Sequence, residues 1–235
     1  MSATPFPETQ PASLVLGRPN GLGQRFGLRE GDRLISVNGG AVAPDPAALT
    51  ARLNRPGLPA ALCFERAGHR WFILSDTAAL GAWRRDGTPV DLGEGGGAPI
   101  DPATLRNWEV LRAPDGRYDI QPVTAPVMAL LVPPLWLAQM HLWGPLAIWA
   151  ALVLVGWPVG WPAMLALHAI LSLYFWKAGA ALWRADRLAR GLAPDGVIAT
   201  RTERELHRRI RSLHPEARYL HVPPRLAAAA VVDGG

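Results

Sequence analysis

The distribution of apolar and charged residues sets one part of the chain apart from the rest. From Ile120 to Trp176 the sequence has no Asp, Glu, Lys or Arg, and six of the ten tryptophans lie in this window. The hydrocarbon core of a bilayer needs roughly 20 apolar residues per helix, so the window has room for two membrane spans. The pattern therefore predicts an integral membrane protein.

Proline and glycine divide this window into helices. We expect a membrane domain over residues 122–190, with an interfacial or re-entrant elbow at 125–136, a first span at 137–157 and a second span at 161–183. Tryptophans collect where both predicted interfaces would lie, as in aromatic belts: Trp136, Trp143, Trp176 and Trp183 at one, and Trp157 and Trp161 at the other. A rival division makes residues 125–140 a third span.

Before this window, short apolar runs alternate with Gly, Pro and Asn turns over residues 13–75, which predicts a small β-rich domain. Pro46–Leu53 is predicted to be its helix, and residues 60–65 and 69–74 flank Ala67-Gly68 as a hairpin would. Residues 1–12 and the last dozen have the composition of disordered segments. Residues 76–121 are predicted to be a linker, with one short hairpin from 107–111 and 117–121.

The run from Phe26 to Gly39 resembles the central signature of bacterial PDZ domains, Gly-Leu-x-x-Gly-Asp-x-Ile-x-x-Val-Asn-Gly. Its glycines permit tight turns, Asp32 can accept hydrogen bonds from turn amides, and Asn38 and Gly39 can reverse the chain. The resemblance covers residues 13–75 and implies a PDZ-like fold.

PDZ domains capture a peptide terminus by adding it to a strand edge. The resemblance therefore implies that a peptide or protein partner contacts Leu14, Val15, Leu16, Arg25, Phe26, Gly27 and Leu28. The residues before the signature match the x-Φ-Gly-Φ peptide-capturing loop poorly. A PDZ remnant that serves only as a packing module is the alternative.

The stretch from Val132 to Trp143 carries a second resemblance. Its Pro-Leu-Trp run, followed by His141 and Trp143, resembles the opening of a family of small bacterial inner-membrane proteins of unknown function. The similarity covers about residues 122–190 and implies a two-helix membrane hairpin. It implies no activity.

Charge is distributed unevenly about the apolar window. Residues 1–119 hold 13 basic and 13 acidic side chains, whereas residues 177–235 hold 11 basic and 6 acidic ones. The positive-inside rule places such a C-terminal segment in the cytoplasm, and a two-span hairpin places the N-terminal half there too. We therefore expect a bacterial inner-membrane protein with both termini cytoplasmic and no nucleic-acid partner. No cleaved signal peptide is predicted, and the single cysteine, Cys63, predicts no disulfide framework.

Residues 191–235 are predicted to be a basic cytoplasmic tail with one amphipathic helix at 200–213. Thr202 and Glu205 form a capping-box pattern, and Leu206, Ile210 and Leu213 recur at helical spacing. Four basic residues surround this apolar stripe and are predicted to face lipid: Arg204, Arg208, Arg209 and Arg211. The alternative is a helix that docks on its own soluble domain.

Few residues suggest chemistry. The sequence has neither a His-Glu-x-x-His nor a Gly-x-Ser-x-Gly motif. His168, in the middle of a predicted span, is the candidate ligand for a pigment or haem, and a helix–helix hydrogen bond is its simpler role. Ser172 lies four residues later, as a nucleophile paired with this base would. Pro215 interrupts the run His207, His214 and His221, so no metal site is predicted.

These observations predict an α+β protein: a small PDZ-like domain, an all-α transmembrane hairpin and a basic C-terminal helix. The predicted function is a non-enzymatic inner-membrane adapter, assembly or scaffold protein without a cofactor. Its partners would be the membrane, other integral membrane proteins and a peptide or protein at the PDZ-like domain. One alternative is an accessory subunit of a respiratory or photosynthetic complex, with His168 near pigment or haem. The others are a membrane hydrolase and a periplasmic PDZ sensor, and the sensor requires three spans.

Overall fold

The computed structural model of the protein describes residues 12–53, 55, 57–89, 97–124 and 127–221. The chain forms two compact units of a mixed α and β protein. Unit 1 consists of Met1–Val110 and Pro194–Arg218, and unit 2 of Leu111–Ala193 and Tyr219–Gly235. The predicted disorder of residues 1–12 lies outside the described residues except at Ala12, which begins a strand. The predicted disorder of the last dozen residues and most of the Gly-rich run after Pro89 also lie outside the described residues.

The chain contains ten strands and seven α-helices within the described residues. In order they are β1 (Ala12–Pro19), α1 (Gly21–Arg25), β2 (Arg33–Val37), β3 (Gly40–Ala41), α2 (Pro46–Leu53), β4 (Ala60–Arg66), β5 (His69–Ser75), β6 (Gly81–Pro89), β7 (Arg106–Arg112), β8 (Arg117–Pro122), α3 (Val127–Leu131), α4 (Pro133–Gln139), α5 (Trp143–Gly156), α6 (Trp161–Ala189), β9 (Ala193–Thr200), α7 (Glu203–Leu213) and β10 (Arg218–Tyr219). Short 3₁₀ helices occur at Pro102–Thr104 and Trp157–Val159.

Unit 1 contains a six-stranded sheet in the order β5-β4-β2-β1-β6, with β3 paired to β2. Its described pairings are antiparallel, and Leu14 on β1 lies opposite Leu34 on β2. Apolar side chains from one face of these strands pack with α2 into a core that includes Leu16, Phe64 and Leu49. β1 is therefore an interior strand of the sheet.

The turns that the signature predicts are present. Gly27 and Gly31 have φ of +76° and +90°, and Asn38 and Gly39 reverse the chain with φ of +52° and +81°. The buried Asp32 carboxylate accepts from the Arg29 amide at 2.8 Å and from two guanidinium nitrogens of Arg66 at 2.6 Å each. The signature thus closes a loop and fixes it with a charged pair.

The predicted hairpin of β4 and β5 is also confirmed. Arg66 pairs with His69 across a two-residue turn, and Ala67 and Gly68 both have positive φ. This is the backbone that the twist of paired strands favours. The helix predicted over Pro46–Leu53 has those bounds in the structure.

The linker prediction for residues 76–121 is wrong in part. Gly81–Pro89 forms β6, which pairs with β1 and extends the sheet beyond residue 75. β6 is an edge strand that exposes Arg84 and Arg85, so its sequence lacks the apolar alternation of a half-buried strand. The short hairpin predicted from residues 107–111 and 117–121 is present as β7 and β8.

A second sheet has the order β10-β8-β7-β9. Its strand β9 corrects the prediction that the chain after residue 191 is a tail, because Val197 and Ala199 are buried there. α6 ends just before it in a Schellman motif, in which the Leu192 amide donates to the Arg187 carbonyl and Gly191 has φ of +81°. This turn ends the long helix at a defined residue.

The helices of unit 2 differ from the predicted spans chiefly at the start of the first span. The elbow predicted at 125–136 consists of α3 and most of α4. The first span was predicted from Leu137, but α5 begins at Trp143 because His141 adopts φ of +56° and breaks the helix. α6 contains the whole of the predicted second span, 161–183, and continues to Ala189.

α7 begins three residues after the predicted start, and its cap has the predicted form. The Thr202 hydroxyl accepts from the Glu205 amide at 3.2 Å, and the Glu205 carboxylate accepts from the Arg201 amide at 3.2 Å. Leu206 and Ile210 are buried, and α7 belongs to unit 1. The apolar stripe is therefore covered by protein, so it does not lie on lipid.

Candidate functional site

Unit 2 exposes a long apolar helical hairpin. In the described residues one helix, α6, is long and apolar enough to cross a membrane, and the apolar segment Trp143–Val159 before it is shorter. Leu154 and Val155 near the end of α5 are 74% and 77% exposed, and Ile170 in the first half of α6 is 66% exposed. Contiguous apolar surface of this kind marks contact with a membrane or another protein.

The tryptophans predicted at the membrane interfaces fall into two groups. Trp143, Trp157 and Trp161 are exposed, and Trp176 is partly buried beside Lys177. Trp136 and Trp183 are buried in the core of unit 2, and their position there corrects the prediction that they face an interface. Gly179 makes room for Trp136, because a Cβ at this glycine would lie 2.7 Å from the Trp136 ring.

At the base of this hairpin lies a buried arginine. Arg187 on α6 is 1% exposed, and its Nε donates to Asp119 on β8. Nη1 donates to the Asp186 carboxylate, and Nη2 donates to the Met140 carbonyl at 2.9 Å. One side chain thus joins β8 to α6 and to the turn that precedes α5.

Asp119 is the buried carboxylate of this cluster. Its Oδ1 accepts from the Ile120 amide at 2.9 Å, and its Oδ2 lies 3.4 Å from Nε2 of His221. Burial by itself would raise the pKa of Asp119, but hydrogen bonds from His221 and Arg187 and the charge of Arg187 outweigh it and hold this pKa below its ordinary value. The carboxylate is therefore charged at neutral pH.

Two histidines stack beside the ion pair. The rings of His141 and His221 are 4.2 Å apart and inclined by 16°, and Arg190 donates to the His141 carbonyl at 3.4 Å. Partial burial, with the nearby His221 ring and the Arg187 charge, lowers the pKa of His141. Protonation of His141 in acid therefore adds positive charge beside the buried guanidinium of Arg187.

We refer to these residues as the ion-pair cluster, and their contacts are structural: Asp119, His141, Asp186, Arg187 and His221. The donors of Arg187 are used within the protein, and no group of three His, Cys, Asp or Glu in the described ranges could hold a metal ion. His221 contacts Asp119, whereas His207 lies 3.3 Å from Glu203 and His214 lies 3.7 Å from Glu216. The arrangement holds three chain segments together and responds to protonation.

His168 and Ser172 do not form a catalytic pair. His168 is exposed on α6. Ser172 is buried, and its Oγ has no hydrogen-bond partner within the described part of the chain. The imidazole of His168 lies on the outer surface of the hairpin.

The residues predicted to bind a peptide lie mostly against the chain's own strands. β1 has β2 on one side and β6 on the other, and Leu14, Leu16 and Leu28 are buried. The Phe26 carbonyl accepts from the Val197 amide at 3.1 Å. Gly27 is so close to β9 that a Cβ there would lie 2.5 Å from the Gly196 Cα.

The remaining two predicted positions are more open. The side chain of Val15 is partly buried on β1, and Arg25 is exposed at the end of α1. Strand addition at β1 would still have to displace β6.

The sheet of unit 1 has two outer edges, and one is capped. On β5, the Asn107 side chain donates to the Leu74 carbonyl and accepts from the Leu74 amide, both at 2.8 Å, as a neighbouring strand would. On β6, no strand within the described ranges pairs with the outer edge. α2 packs beside this edge, and Arg85 lies 3.8 Å from Asp45 just before the helix.

Sequence reasoning missed β6 and the Asp119–Arg187 pair. The only signal for the pair is its position, since Asp119 is the last acidic residue before the charge-free window and Arg187 follows that window. Charge-free sequence between two opposite charges does not by itself show that they meet.

Comparison of the chain with models of protein families, with curated proteins and with solved structures finds no match.

Replacing Arg187 with Gln is expected to lower the free energy of unfolding by about 3–5 kcal/mol, because it leaves Asp119 buried without its partner. Asp119→Asn should be destabilising too, and the double variant should lose less than the sum of the single ones. Denaturant unfolding of the detergent-purified protein, followed by tryptophan fluorescence, measures the cycle.

Arg190→Gln is the matched control, since Arg190 immediately follows the last residue of the same helix and pairs with Asp186 at an exposed position. It should cost less than about 1 kcal/mol. Equal losses for Arg187→Gln and Arg190→Gln, or strict additivity in the cycle, would contradict the structural role of the pair.

Acid should destabilise the protein in two steps. The pKa of His141 is lowered from 6.5, so its contribution is full above 6.5 and is lost as the pH falls from there toward the lower folded value. The pKa of Asp119 is lowered from 3.8, so a second loss begins below that pH. Thermal unfolding midpoints against pH should show the first step in the parent protein.

The first fall in the unfolding midpoint should be smaller in His141→Asn, and the second fall should be smaller in Asp119→Asn. His69→Asn, at an exposed position on β5, serves as the control and should leave both steps intact. An unchanged first step in His141→Asn would mean that another group causes it.

Proposed function

We propose that this protein is a non-enzymatic adapter of the bacterial inner membrane. The hairpin of α5 and α6 anchors it in the bilayer, and unit 1, a PDZ-like module, binds an extended segment of another protein. The observation that carries the proposal is the exposed apolar surface of the hairpin, which continues through both arms.

The dimensions of the hairpin support anchoring. At 1.5 Å per residue, the distance from Trp161 to Trp183 along α6 is about 33 Å. The 14 residues of α5 and the 3₁₀ turn after it give about 27 Å. Both lengths are close to the hydrocarbon thickness of about 30 Å, and Trp157 and Trp161 at the tip suit an interface.

The two chain segments that make up unit 1 support an even number of membrane crossings. Unit 1 is built from residues on both sides of the hairpin in sequence, and the hydrogen bond from the Val197 amide to the Phe26 carbonyl joins them. A chain that leaves and re-enters one folded unit crosses a bilayer twice or not at all. This favours the two-span hairpin over three spans and a periplasmic sensor, and the basic residues after the hairpin favour cytoplasmic termini.

The order of elements in unit 1 supports the PDZ-like assignment. The signature loop lies between α1 and β2, Asp32 closes it, and α2 follows the short strand β3. The assignment supplies an expected mode of binding, which is strand addition beside a helix.

The edge of β6 is the position where such binding is most favourable. An extended segment could pair with this edge, which no described strand occupies, and would lie alongside α2, whereas β1 is already paired on both sides. We therefore propose that partner binding uses β6, and that the interior strand β1 supports it from within the sheet.

Charging the hairpin should release the protein from membranes. Leu154→Glu with Val155→Glu places two carboxylates where lipid is proposed, each of which costs several kcal/mol in a bilayer. Quantitative immunoblotting after alkaline carbonate extraction should find the parent protein in the pellet and the variant mainly in the supernatant.

Leu58→Glu is the control, because Leu58 is also an exposed leucine but lies in unit 1. This variant should pellet like the parent. Retention of the doubly charged hairpin variant would contradict anchoring by α5 and α6.

Selection of peptides with free termini against the full-length protein in nanodiscs tests the adapter role. Selected peptides should slow amide hydrogen exchange in residues 82–88, because they occupy the edge of β6. The capped edge, β5, is the internal control and should exchange at its original rate. Failure to select any peptide, or protection that avoids β6, would contradict binding at this edge.

A further inference from the structure

Three arginines of α7 form a ridge. Arg204, Arg208 and Arg211 are spaced by four and three residues, and at 100° per residue they fall within an arc of about 60°. All three are exposed. Leu206 and Ile210 are on the opposite side and are buried. The helix therefore shows a purely basic line to the exterior while its apolar stripe holds it to unit 1.

Nothing in the described residues neutralises this ridge. None of the three guanidinium groups has a carboxylate within 4.0 Å among the described ion pairs. Like charges three and four residues apart destabilise a helix by a few tenths of a kcal/mol per pair. Repulsion among the three arginines therefore destabilises α7, and a bound anionic surface would offset this repulsion.

Arg209 does not belong to the ridge. It is partly buried, and its positive charge acts on the thiol of Cys63 in the sheet of unit 1. The four arginines predicted to face lipid thus divide into three on the exposed ridge and one that is directed toward the protein. Glu203 and Glu205 flank the ridge on either side of the helix axis.

We propose that the ridge of Arg204, Arg208 and Arg211 binds the anionic phospholipid headgroups of the membrane that holds the hairpin. The proposal rests on the anchoring function proposed above. Guanidinium groups match phosphate oxygens in pairs of hydrogen bonds, so a line of three suits adjacent headgroups.

A lipid surface fits the ridge better than an acidic protein does, for two reasons. The ridge begins 21 residues after Trp183, where the proposed span ends, so a short stretch of chain keeps it near the membrane surface beside which basic residues collect. The anchor also keeps unit 1 near headgroups permanently, whereas a protein partner would have to be recruited. No insertion is involved, because the apolar stripe is buried.

The contact should be electrostatic. Each basic residue close to an anionic surface favours the docked state about fivefold, so three give roughly a hundredfold. Because the ridge is exposed, high salt should abolish docking. Anchoring by the hairpin should persist in the same salt, since it depends on apolar burial.

A fluorophore beside the ridge reports docking. Ser212 is exposed on α7, and Ser212→Cys can be labelled in the full-length protein. Burial raises the pKa of the native Cys63 thiol to about 11, so this thiol reacts slowly and stays in place. The labelled protein is reconstituted into vesicles that contain headgroup-nitroxide lipid, either with phosphatidylcholine alone or with added phosphatidylglycerol.

We expect strong quenching with phosphatidylglycerol, little quenching with phosphatidylcholine alone, and loss of quenching in high salt. Changing the three ridge arginines to Gln should remove the dependence on phosphatidylglycerol. The matched control changes Arg18, Arg25 and Arg29 to Gln, since these are also exposed residues of unit 1 and the loss of charge is equal. This control should be quenched like the parent.

Flotation of the vesicles separates the two proposals. Protein that floats but shows no quenching, or equal quenching in both lipids, overturns the ridge proposal alone. An equal effect of the control and ridge variants overturns it too, because net charge would then suffice. Protein that does not float in either lipid overturns both the anchor and the ridge that depends on it.

Discussion

The buried ion pair of Arg187 and Asp119 is the interaction on which unit 2 depends. An arginine that is 1% exposed must satisfy its donors within the protein, and it does so with Asp119, Asp186 and the Met140 carbonyl. Desolvation makes such a pair expensive to form and more expensive to break. Its value here is positional, because the pair fixes where the long apolar helix meets β8 and the turn before α5. It thereby adds a specific polar contact to the apolar packing of Trp136 and Trp183 at the base of the hairpin.

The second constraint comes from unit 1, which takes in chain on both sides of the hairpin. β9 and α7 follow α6 in sequence, yet they belong to the same compact unit as β1 to β6. The apolar hairpin is therefore part of a long insertion in the sequence of unit 1. An apolar insertion of this kind can hold a folded domain at a bilayer surface, as the proposed adapter requires.

Local patterns predicted local structure well. Positive φ at Asn38, Gly39 and Gly68 follows from residue type, and the cap at Thr202 follows from Ser/Thr-x-x-Glu spacing. Prediction failed where the answer depends on distant contacts. β6 is polar because it lies at an edge, and the burial of Trp136 depends on a distant glycine, Gly179. The Asp119–Arg187 contact joins residues 68 positions apart, which no local pattern encodes.

The central claim is that the hairpin crosses the bilayer twice and returns to the side of unit 1. The most direct test is a membrane-impermeant thiol reagent applied to each side of native membranes, with cysteine placed at the hairpin tip, Val159→Cys, or on unit 1, Ser212→Cys. Val159 is 72% exposed, so protein does not shield it. The account predicts that Val159→Cys reacts only from the periplasmic side and Ser212→Cys only from the cytoplasmic side. Reaction of both from one side, or no reaction of Val159→Cys from either, would contradict it.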